Sequence, residues 1–189
     1  MEVTTNDSYE EVIIAGFGGQ GILLAGRLLA QTAMKAGKEV TFMPAYGAEV
    51  RGGTSNCAVI VADEPIASPI VSKPDSLIVM NKASLNKFAP RLKTGGLLVM
   101  NSSLIDEEPK LDQTIKIIAV PADELAVELG NKKAANMVAI GAYLQKRGHL
   151  APDAAAKALP DVLAKRYHQT LPVNTEALRR GAEFAKKSG

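Results

Sequence analysis

The stretch Glu11-Val-Ile-Ile-Ala15, followed directly by Gly16-Phe-Gly-Gly-Gln-Gly21, decides the fold of this chain. The first part is a short apolar run rich in β-branched residues, which indicates a buried strand. The second part matches the G-x-G-x-x-G pattern, and residues 19–36 carry apolar side chains at helical spacing before Gly37 ends the helix. The sequence therefore predicts a strand, a tight glycine turn and a helix in direct succession.

A glycine turn in this position is suited to binding phosphate. Glycine allows the tight turn, the missing Cβ lets the backbone approach a diphosphate, and the helix N-terminus offers free N–H groups and a positive dipole. The alternative is a strand-to-helix turn that binds nothing. The predicted cofactor-binding residues of the turn are Gly16, Gly18, Gly19, Gln20 and Gly21.

The absence of an acidic residue at the end of the second predicted strand bears on which phosphate ligand the turn could bind. A dinucleotide site carries Asp or Glu at the end of the second strand, where it accepts the ribose hydroxyls. The second predicted strand, residues 39–43, has Glu39 at its beginning, and Glu49 lies well inside the next loop. This pattern argues against NAD. Arg27 in the first helix is a candidate phosphate contact, and the alternative for it is an exposed or ion-paired surface arginine.

A second glycine-rich loop is predicted over residues 44–53, which contain three glycines and a proline. Arg51 supplies a permanent positive charge with two-pronged geometry. Gly52 and Gly53 permit positive φ angles and a close approach of the backbone to a ligand. We therefore expect Arg51, Gly52 and Gly53 to be cofactor-binding residues as well.

The rest of the chain alternates between strands and helices, which predicts an α/β fold with a mostly parallel, doubly wound sheet. Ligands bind such sheets beyond the carboxyl ends of the strands, where Asn81 and Asn101 also fall. Hydrogen bonding within loops is the more expected role for both asparagines, and ligand contact is the alternative. Further strands are predicted at residues 55–62, 76–80, 97–101 and 114–120, and helices at 81–88, 123–129, 133–146, 153–165 and 174–187.

The helix over residues 133–146 is dense in alanine and glycine, which suits close packing against another backbone. We expect this helix to contribute to a large, partly apolar face that is buried against partner proteins.

The composition describes an ordinary globular chain of 189 residues with 47% hydrophobic residues and a net charge of +2. Balanced charge and 4% aromatic residues argue against nucleic-acid binding. One cysteine, Cys57, and two isolated histidines predict no intramolecular disulfide, iron–sulfur cluster or metal site, and Cys57 is expected to be a buried thiol. No apolar run has membrane-spanning length, so we expect no membrane association and a cytoplasmic location.

Residues 1–10 are predicted as a polar leader and 11–189 as a single domain, helical from about residue 150.

Several motifs occur together in one order, namely Gly16-Phe-Gly-Gly-Gln-Gly-Ile-Leu-Leu-Ala-Gly26, Tyr46-Gly-Ala-Glu-Val-Arg-Gly-Gly-Thr-Ser-Asn56, Ser68-Pro-Ile-Val71, Lys73-Pro-Asp75 and Asn131-Lys-Lys-Ala-Ala-Asn-Met137. In this combination the sequence closely resembles the γ subunit of 2-oxoacid:ferredoxin oxidoreductases, from about residue 11 to residue 148. Pro44-Ala-Tyr-Gly47 looks more like the 2-oxoglutarate or branched-chain type, because the indolepyruvate type has a histidine and a glutamine in that loop. The resemblance implies a Rossmann-like domain with C-terminal helices.

The resemblance also implies a division of labour. In this family, alpha, beta and ferredoxin-like delta subunits bind thiamine diphosphate with Mg and carry the iron–sulfur clusters, and ferredoxin accepts the electrons. The γ subunit is associated with coenzyme A and with holding the complex together. We therefore expect a non-catalytic subunit, inactive alone, of an enzyme that oxidatively decarboxylates a 2-oxoacid to acyl-CoA, with 2-oxoglutarate favoured. The alternatives are a subunit of a pyruvate, branched-chain or indolepyruvate enzyme, a free-standing NAD-dependent dehydrogenase, and an interaction domain with an empty glycine loop.

Overall fold

The computed structural model describes residues 9–45 and 54–188. The strands are β1 (Tyr9–Phe17), β2 (Glu39–Ala45), β3 (Thr54–Ala62), β4 (Ser76–Val79), β5 (Leu97–Asn101) and β6 (Lys116–Val120). The helices are α1 (Ile22–Lys35), α2 (Lys82–Phe88), α3 (Ala122–Glu128), α4 (Ala135–Arg147), α5 (Pro152–Val162) and α6 (Leu171–Lys187). Short 3-10 turns occupy Ala89–Arg91, Lys132–Ala134 and Lys165–Thr170.

The six strands form one sheet in the order β2-β3-β1-β4-β5-β6. Strands β1, β4, β5 and β6 pair in parallel. Strand β3 is antiparallel to both of its neighbours, β1 and β2. Because β2 therefore points the same way as β1, β3 is the one reversed strand of this sheet. The predicted α/β fold with a mostly parallel sheet is confirmed.

Helices and loops cover both faces of the sheet, but unequally. Val12 and Ile14 of β1 face the larger core, which is completed by α1, α4, α5 and α6. Ile13 and Ala15 face a smaller core on the other side, closed mainly by α2 and the loop segments near it. Successive strand residues point to opposite faces, so the uninterrupted apolar run at residues 12–15 is what a strand buried on both faces requires.

Helix α4 is the central helix of the larger core, and all residues from 135 to 144 are buried. It meets α6 at backbone distance, because a Cβ at Gly141 would collide with the carbonyl of Leu178 and a Cβ at Gly181 with the carbonyl of Val138. The predicted packing of this small-residue helix against another backbone is thus observed. The expectation that the helix serves a partner-facing surface is wrong, because its small residues pack inside the same chain.

Helix α4 also runs along the strands, from the edge of the sheet formed by their carboxyl ends to the edge formed by their amino ends. Asn136 in its first turn reaches Gly21 beyond the carboxyl end of β1, and Arg147 in its last turn pairs with Glu10 near the start of β1. The N-terminus of α4 therefore lies at the same edge of the sheet as the N-terminus of α1.

Two boundaries near the glycine turn differ from the prediction. Strand β1 begins at Tyr9, inside the predicted polar leader, and its Glu10 is only 3% exposed. Helix α1 begins at Ile22 rather than at residue 19, because Gly19 and Gly21 adopt φ angles of +94° and +72°, which are incompatible with an α-helix. The turn is therefore longer than the sequence pattern suggests.

Further boundaries also differ from the prediction, among them the end of α5, which lies at Val162 rather than at residue 165. Strand β2 continues through Pro44 to Ala45, which an edge strand permits because its outer side has no partner strand. Strand β6 begins at Lys116 rather than at residue 114. Helix α6 begins at Leu171 rather than at residue 174, with Pro172 in its first turn, where the missing N–H has no intrahelical acceptor in any case.

Candidate functional site

The candidate site is the turn between β1 and α1, beyond the carboxyl end of β1. Gly18 and Gly19 are exposed, and Gly21 is the residue that precedes the first helical residue. Among the described residues no side chain caps α1, and its first turn contains no acid. The first N–H groups of α1 and the positive end of its dipole therefore face the turn, as an anion site requires.

Three of the four loop glycines are needed by the fold itself. A Cβ at Gly16 would lie 2.5 Å from Gln20 Oε1, and Gly19 and Gly21 have positive φ angles, which side chains rarely adopt. Gly18 is under neither constraint. Its φ is not positive, and no described atom lies within 4 Å of a Cβ built there. Glycine at this position keeps open the space over the turn.

The side chain of Gln20 braces the turn from inside. Its Oε1 accepts a hydrogen bond from the Phe17 N–H at 2.6 Å, and Asn81 Nδ2 lies 3.4 Å from the same oxygen. Its Nε2 donates to the carbonyl of Met80 at 3.2 Å, beyond the end of β4. The side-chain amide of Gln20 thus holds the turn in place, and contact between Gln20 and a ligand stays a prediction.

Asn136 ties the turn to α4. Its Nδ2 donates to the carbonyl of Gly21 at 3.0 Å, and its Oδ1 accepts from the Met137 N–H at 2.9 Å. The residue is 3% exposed. Sequence reasoning included Asn136 in a family motif without giving it a role. No local pattern could have paired two residues that lie 115 positions apart.

Asn81 and Asn101 each accept a hydrogen bond from a backbone N–H in the first turn of a helix. Asn81 Oδ1 accepts from the Ser84 N–H at 2.8 Å and so caps α2. Asn101 Oδ1 accepts from the Ala122 N–H at 3.0 Å, and its Nδ2 donates to Asp123 at 2.9 Å. The prediction that these asparagines form hydrogen bonds within loops is confirmed.

The second predicted ligand loop lies largely outside the described residues, and with it three predicted site residues: Arg51, Gly52 and Gly53. The residues that flank it are placed. Thr54 pairs with Phe17 across β3 and β1, and Ala45 pairs with Asn56 across β2 and β3. Both flanks are therefore at the edge of the sheet that carries the glycine turn.

The strand order distinguishes this site from the site of dinucleotide-binding proteins. In the dinucleotide fold the ribose-binding acid ends the parallel strand that lies next to β1. Here that neighbour is the reversed strand β3, so the end of β2 is two strands away, about 10 Å. Glu39 is exposed. Because it is the first residue of β2, it lies at the opposite edge of the sheet from the glycine turn.

Arg27 lies on the exposed side of α1. It follows Gly21 by six residues, about 9 Å along the helix axis. Its side chain makes no ion pair with any residue in the described part of the chain. Its contact with a phosphate stays a prediction.

Cys57 is a buried structural thiol, as predicted. It is fully buried in β3, and its Sγ donates to the carbonyl of Ile22 at 3.7 Å. Burial raises the pKa of Cys57 to about 12, so the thiol stays protonated and is a poor nucleophile.

A buried charge cluster lies at the opposite edge of the sheet. Glu10 accepts hydrogen bonds from Arg147 Nε at 2.8 Å and from Ser76 Oγ at 2.6 Å, and the Tyr143 hydroxyl lies 3.5 Å away. Burial, reinforced by the charge of Glu10, raises the pKa of Tyr143 well above its usual range, so the phenol stays a donor. His149 Nε2 is 4.0 Å from Glu10. The sequence prediction missed this cluster because it assigned Glu10 to the leader.

Residues 9–45 and 54–188 contain neither a metal-binding cluster nor a membrane-spanning helix. In these ranges no three His, Cys, Asp or Glu side chains come together in a group that could hold a metal ion. No helix there has both the length and the apolar character that a bilayer span needs.

The fold and the turn together define a Rossmann-like α/β domain in which the uncapped N-terminus of α1 lies beyond the carboxyl end of β1. The chain belongs to the pyruvate ferredoxin/flavodoxin oxidoreductase family, whose sequence profile matches residues 11–184. The family resemblance predicted from the sequence motifs is thereby confirmed.

Similar proteins cover nearly the whole chain. The ketoisovalerate oxidoreductase subunit VorA of Methanothermobacter marburgensis is 36% identical over 180 residues, which are 94% of this chain and 37% of that protein. The chain thus spans little more than a third of this relative. The 2-oxoglutarate synthase subunit KorC of Methanocaldococcus jannaschii is 33% identical over 184 residues, 94% of this chain and 95% of that protein. Subunits of a pyruvate synthase and of an indolepyruvate oxidoreductase match at 30% identity.

Solved structures share the fold. The γ subunit of a keto/oxoacid ferredoxin oxidoreductase from Geobacter sulfurreducens superposes with a TM-score of 0.83 at 29% identity, covering 95% of this chain and 98% of that one. A 2-oxoglutarate:ferredoxin oxidoreductase from Magnetococcus marinus, with 2-oxoglutarate, coenzyme A and succinyl-CoA bound, gives a TM-score of 0.84 at 26% identity. That match covers 95% of this chain and 31% of the other.

Proposed function

We propose that this chain is the non-catalytic γ-type subunit of a thiamine diphosphate-dependent 2-oxoacid:ferredoxin oxidoreductase, and that it contributes to coenzyme A binding and to assembly. Family membership supports the enzyme class, and the near-complete overlap with the KorC relative and with the Geobacter γ subunit supports the subunit type. In such an enzyme coenzyme A supplies the thiol that takes up the acyl group. The role of this chain is to bind and orient that molecule.

The observation that carries coenzyme A binding is the open space over Gly18. The fold accounts for the other three loop glycines, but no described atom comes within 4 Å of a Cβ at position 18. A diphosphate approaching the first N–H groups of α1 would use that space, since a side chain there would hold it off. The exposed backbone of Gly18 and Gly19 and the uncapped start of α1 are the groups that would bind it.

Coenzyme A fits the charge of the site better than NAD does. Its 3′-phosphate makes the nucleotide end more anionic, and it does not call for the ribose-binding carboxylate of a dinucleotide site. We propose that Arg27 and Arg51 take up the additional negative charge, Arg51 from the predicted loop that precedes Thr54, the residue paired with Phe17 beside the glycine turn. A free-standing NAD-dependent dehydrogenase is the second candidate, and the reversed strand β3 beside β1 weighs against it.

Among 2-oxoacids we favour 2-oxoglutarate. The motif Pro44-Ala-Tyr-Gly47 and the KorC relative support this choice. The VorA relative is slightly more similar, and pyruvate and indolepyruvate subunits also match, so branched-chain, pyruvate and indolepyruvate enzymes are the alternatives. We place thiamine diphosphate with Mg and the iron–sulfur clusters in alpha, beta and ferredoxin-like delta partner subunits, with ferredoxin as acceptor, in the cytoplasm.

Replacing Gly18 by Ala tests the phosphate site directly. The added methyl group meets no described atom and needs no unusual φ, so the melting temperature should stay at the wild-type value. Coenzyme A should bind about tenfold more weakly, because losing one backbone contact to a charged phosphate is worth about 1.5 kcal/mol. Calorimetric titration of the full chain measures this. Unchanged coenzyme A affinity in Gly18→Ala would contradict the site, and tight NAD binding without coenzyme A binding would restore the dehydrogenase.

Replacing Arg51 by Ala tests the second loop. A charge-assisted contact contributes about 1.5–3 kcal/mol, so coenzyme A should bind roughly ten- to a hundredfold more weakly. The loss should shrink at high salt, where screening already weakens the contact. Arg166→Ala is the matched control, because Arg166 lies away from the glycine turn. Its 3-10 turn follows α5, and Asp161 near the end of α5 pairs with Lys35 in the last turn of α1. Equal effects of the two substitutions would count against a specific contact from Arg51.

A further inference from the structure

The carbonyl of Gly21 is held by two donors. The N–H of Ala25 reaches it at 3.0 Å as the first hydrogen bond of α1, and Asn136 Nδ2 reaches it at 3.0 Å from α4. The Asn136 amide cannot turn freely, because its Oδ1 is occupied by the Met137 N–H and the side chain is buried. Both lone-pair directions of the Gly21 carbonyl are thus fixed by the protein.

Fixing this carbonyl also fixes an N–H group that faces the proposed ligand. The peptide between Gly21 and Ile22 is planar and trans, so the N–H of Ile22 points opposite to the Gly21 carbonyl. With the carbonyl directed into α1, this N–H is directed out of the helix toward the turn. It is among the first N–H groups that an anion at the N-terminus of α1 can use.

Asn136 reaches the turn from a rigid support. Helix α4 is buried from residue 135 to residue 144, packs at backbone distance against α6, and is anchored at its other end by the pair of Arg147 and Glu10. Gly21 fits the asparagine closely, since a Cβ at position 21 would collide with the Asn136 amide. The position of Asn136, and with it the orientation of the Gly21–Ile22 peptide, is therefore set by the core of the domain.

We propose that Asn136 is a positioning residue that orients the Ile22 N–H for the phosphate of coenzyme A. This inference rests on the proposed function and extends it from the turn to α4. It also gives a role to the motif Asn131-Lys-Lys-Ala-Ala-Asn-Met137, which the glycine turn alone leaves without one.

Asn136→Asp in the full chain provides a pH-dependent test. A carboxylate at this position faces the Gly21 carbonyl oxygen and lies near the bound phosphate, so binding favours its protonated form, which is neutral and can donate. At pH 8 the variant should bind coenzyme A about ten- to a hundredfold more weakly than wild type. As the pH falls toward 5 the ratio of the two affinities should approach one. The ratio is the quantity to follow, because the 3′-phosphate of coenzyme A titrates near pH 6 and this changes its binding to both proteins.

Asn174→Asp is the matched control. Asn174 is also buried and donates to Thr170 Oγ1 at 3.0 Å, but α6 runs antiparallel to α4, so this residue lies toward the Arg147 end. The control should follow wild-type affinity at every pH. Should Asn136→Asp not fold, Asn136→Ala removes the donor without adding charge and should bind coenzyme A about three- to tenfold more weakly.

The outcomes separate this inference from the proposed function. Wild-type affinity in Asn136→Asp at every pH, a loss that does not change with pH, or wild-type affinity in Asn136→Ala overturns the positioning role of Asn136. A wild-type chain that does not bind coenzyme A overturns the proposed function itself.

Discussion

Replacing Glu10 by Ala should lower the free energy of unfolding by about 2–4 kcal/mol. The substitution leaves the Arg147 guanidinium, the Ser76 hydroxyl and the Tyr143 hydroxyl without their shared acceptor. Breaking a buried ion pair from one side costs about 3–5 kcal/mol, and the value here is lower because the Arg147 side chain is 26% exposed and can be hydrated. The melting temperature should fall by roughly 5–15 °C.

The measurement is urea unfolding of the full chain, with Glu107→Ala as matched control. Glu107 also pairs with a cation, Lys82 at 2.8 Å, but both side chains are largely exposed. Exposed pairs contribute little, because solvent screens their attraction, so this control should unfold close to wild type. If the two substitutions have the same effect, the buried network at Glu10 does not stabilise the fold.

The part of the fold that the sequence predicts well is the part set by neighbouring residues. The apolar run at residues 12–15 forms a strand covered on both faces, and the glycines after it form the turn before α1. Both depend on periodicity and on the conformational freedom of glycine, which act over a few residues. The start of β1 and the length of the turn were predicted wrongly, because pattern matching reveals neither the pairing of Tyr9 and Glu10 with β3 nor the positive φ angles of Gly19 and Gly21.

The reversal of β3 was beyond the reach of the sequence. Strands buried in parallel and in antiparallel pairs can have similar apolar patterns, and nothing local to residues 54–62 states which neighbour they pair with. This reversal matters for function, because it moves the end of β2 away from the turn. The sequence already showed that no ribose-binding acid ends β2. The strand order agrees with this, because β3 separates the end of β2 from the turn.

The buried polar residues of the site and the core were missed for a related reason. Asn136 meets Gly21 across 115 positions, and Glu10 meets Arg147 across 137 positions. A single asparagine or glutamate in a sequence carries no sign of such a partner. The helix at residues 133–146 shows the same limit: its small residues predicted close backbone packing correctly, but not that α6 is the neighbour.

That neighbour can be tested by adding one methyl group to either helix. In Gly141→Ala the new Cβ would collide with the carbonyl of Leu178, and in Gly181→Ala with the carbonyl of Val138. Both obstacles are backbone atoms, so the helices must separate rather than repack side chains. We expect each substitution to lower the free energy of unfolding by about 2–3 kcal/mol, even though alanine favours helix by about 1 kcal/mol over glycine. Thermal unfolding should show losses of roughly 4–12 °C.

Combining the two substitutions sharpens the test. One outward shift of α6 relieves both collisions, so the double variant should cost less than the sum of the two single variants, with a coupling of about 1 kcal/mol or more. Gly18→Ala is the control for adding a methyl group to a glycine, since it meets no described atom and should melt as wild type does. Additive losses in the double variant would mean that Gly141 and Gly181 do not share one helix contact, and wild-type melting of either single variant would contradict the close approach of α4 and α6.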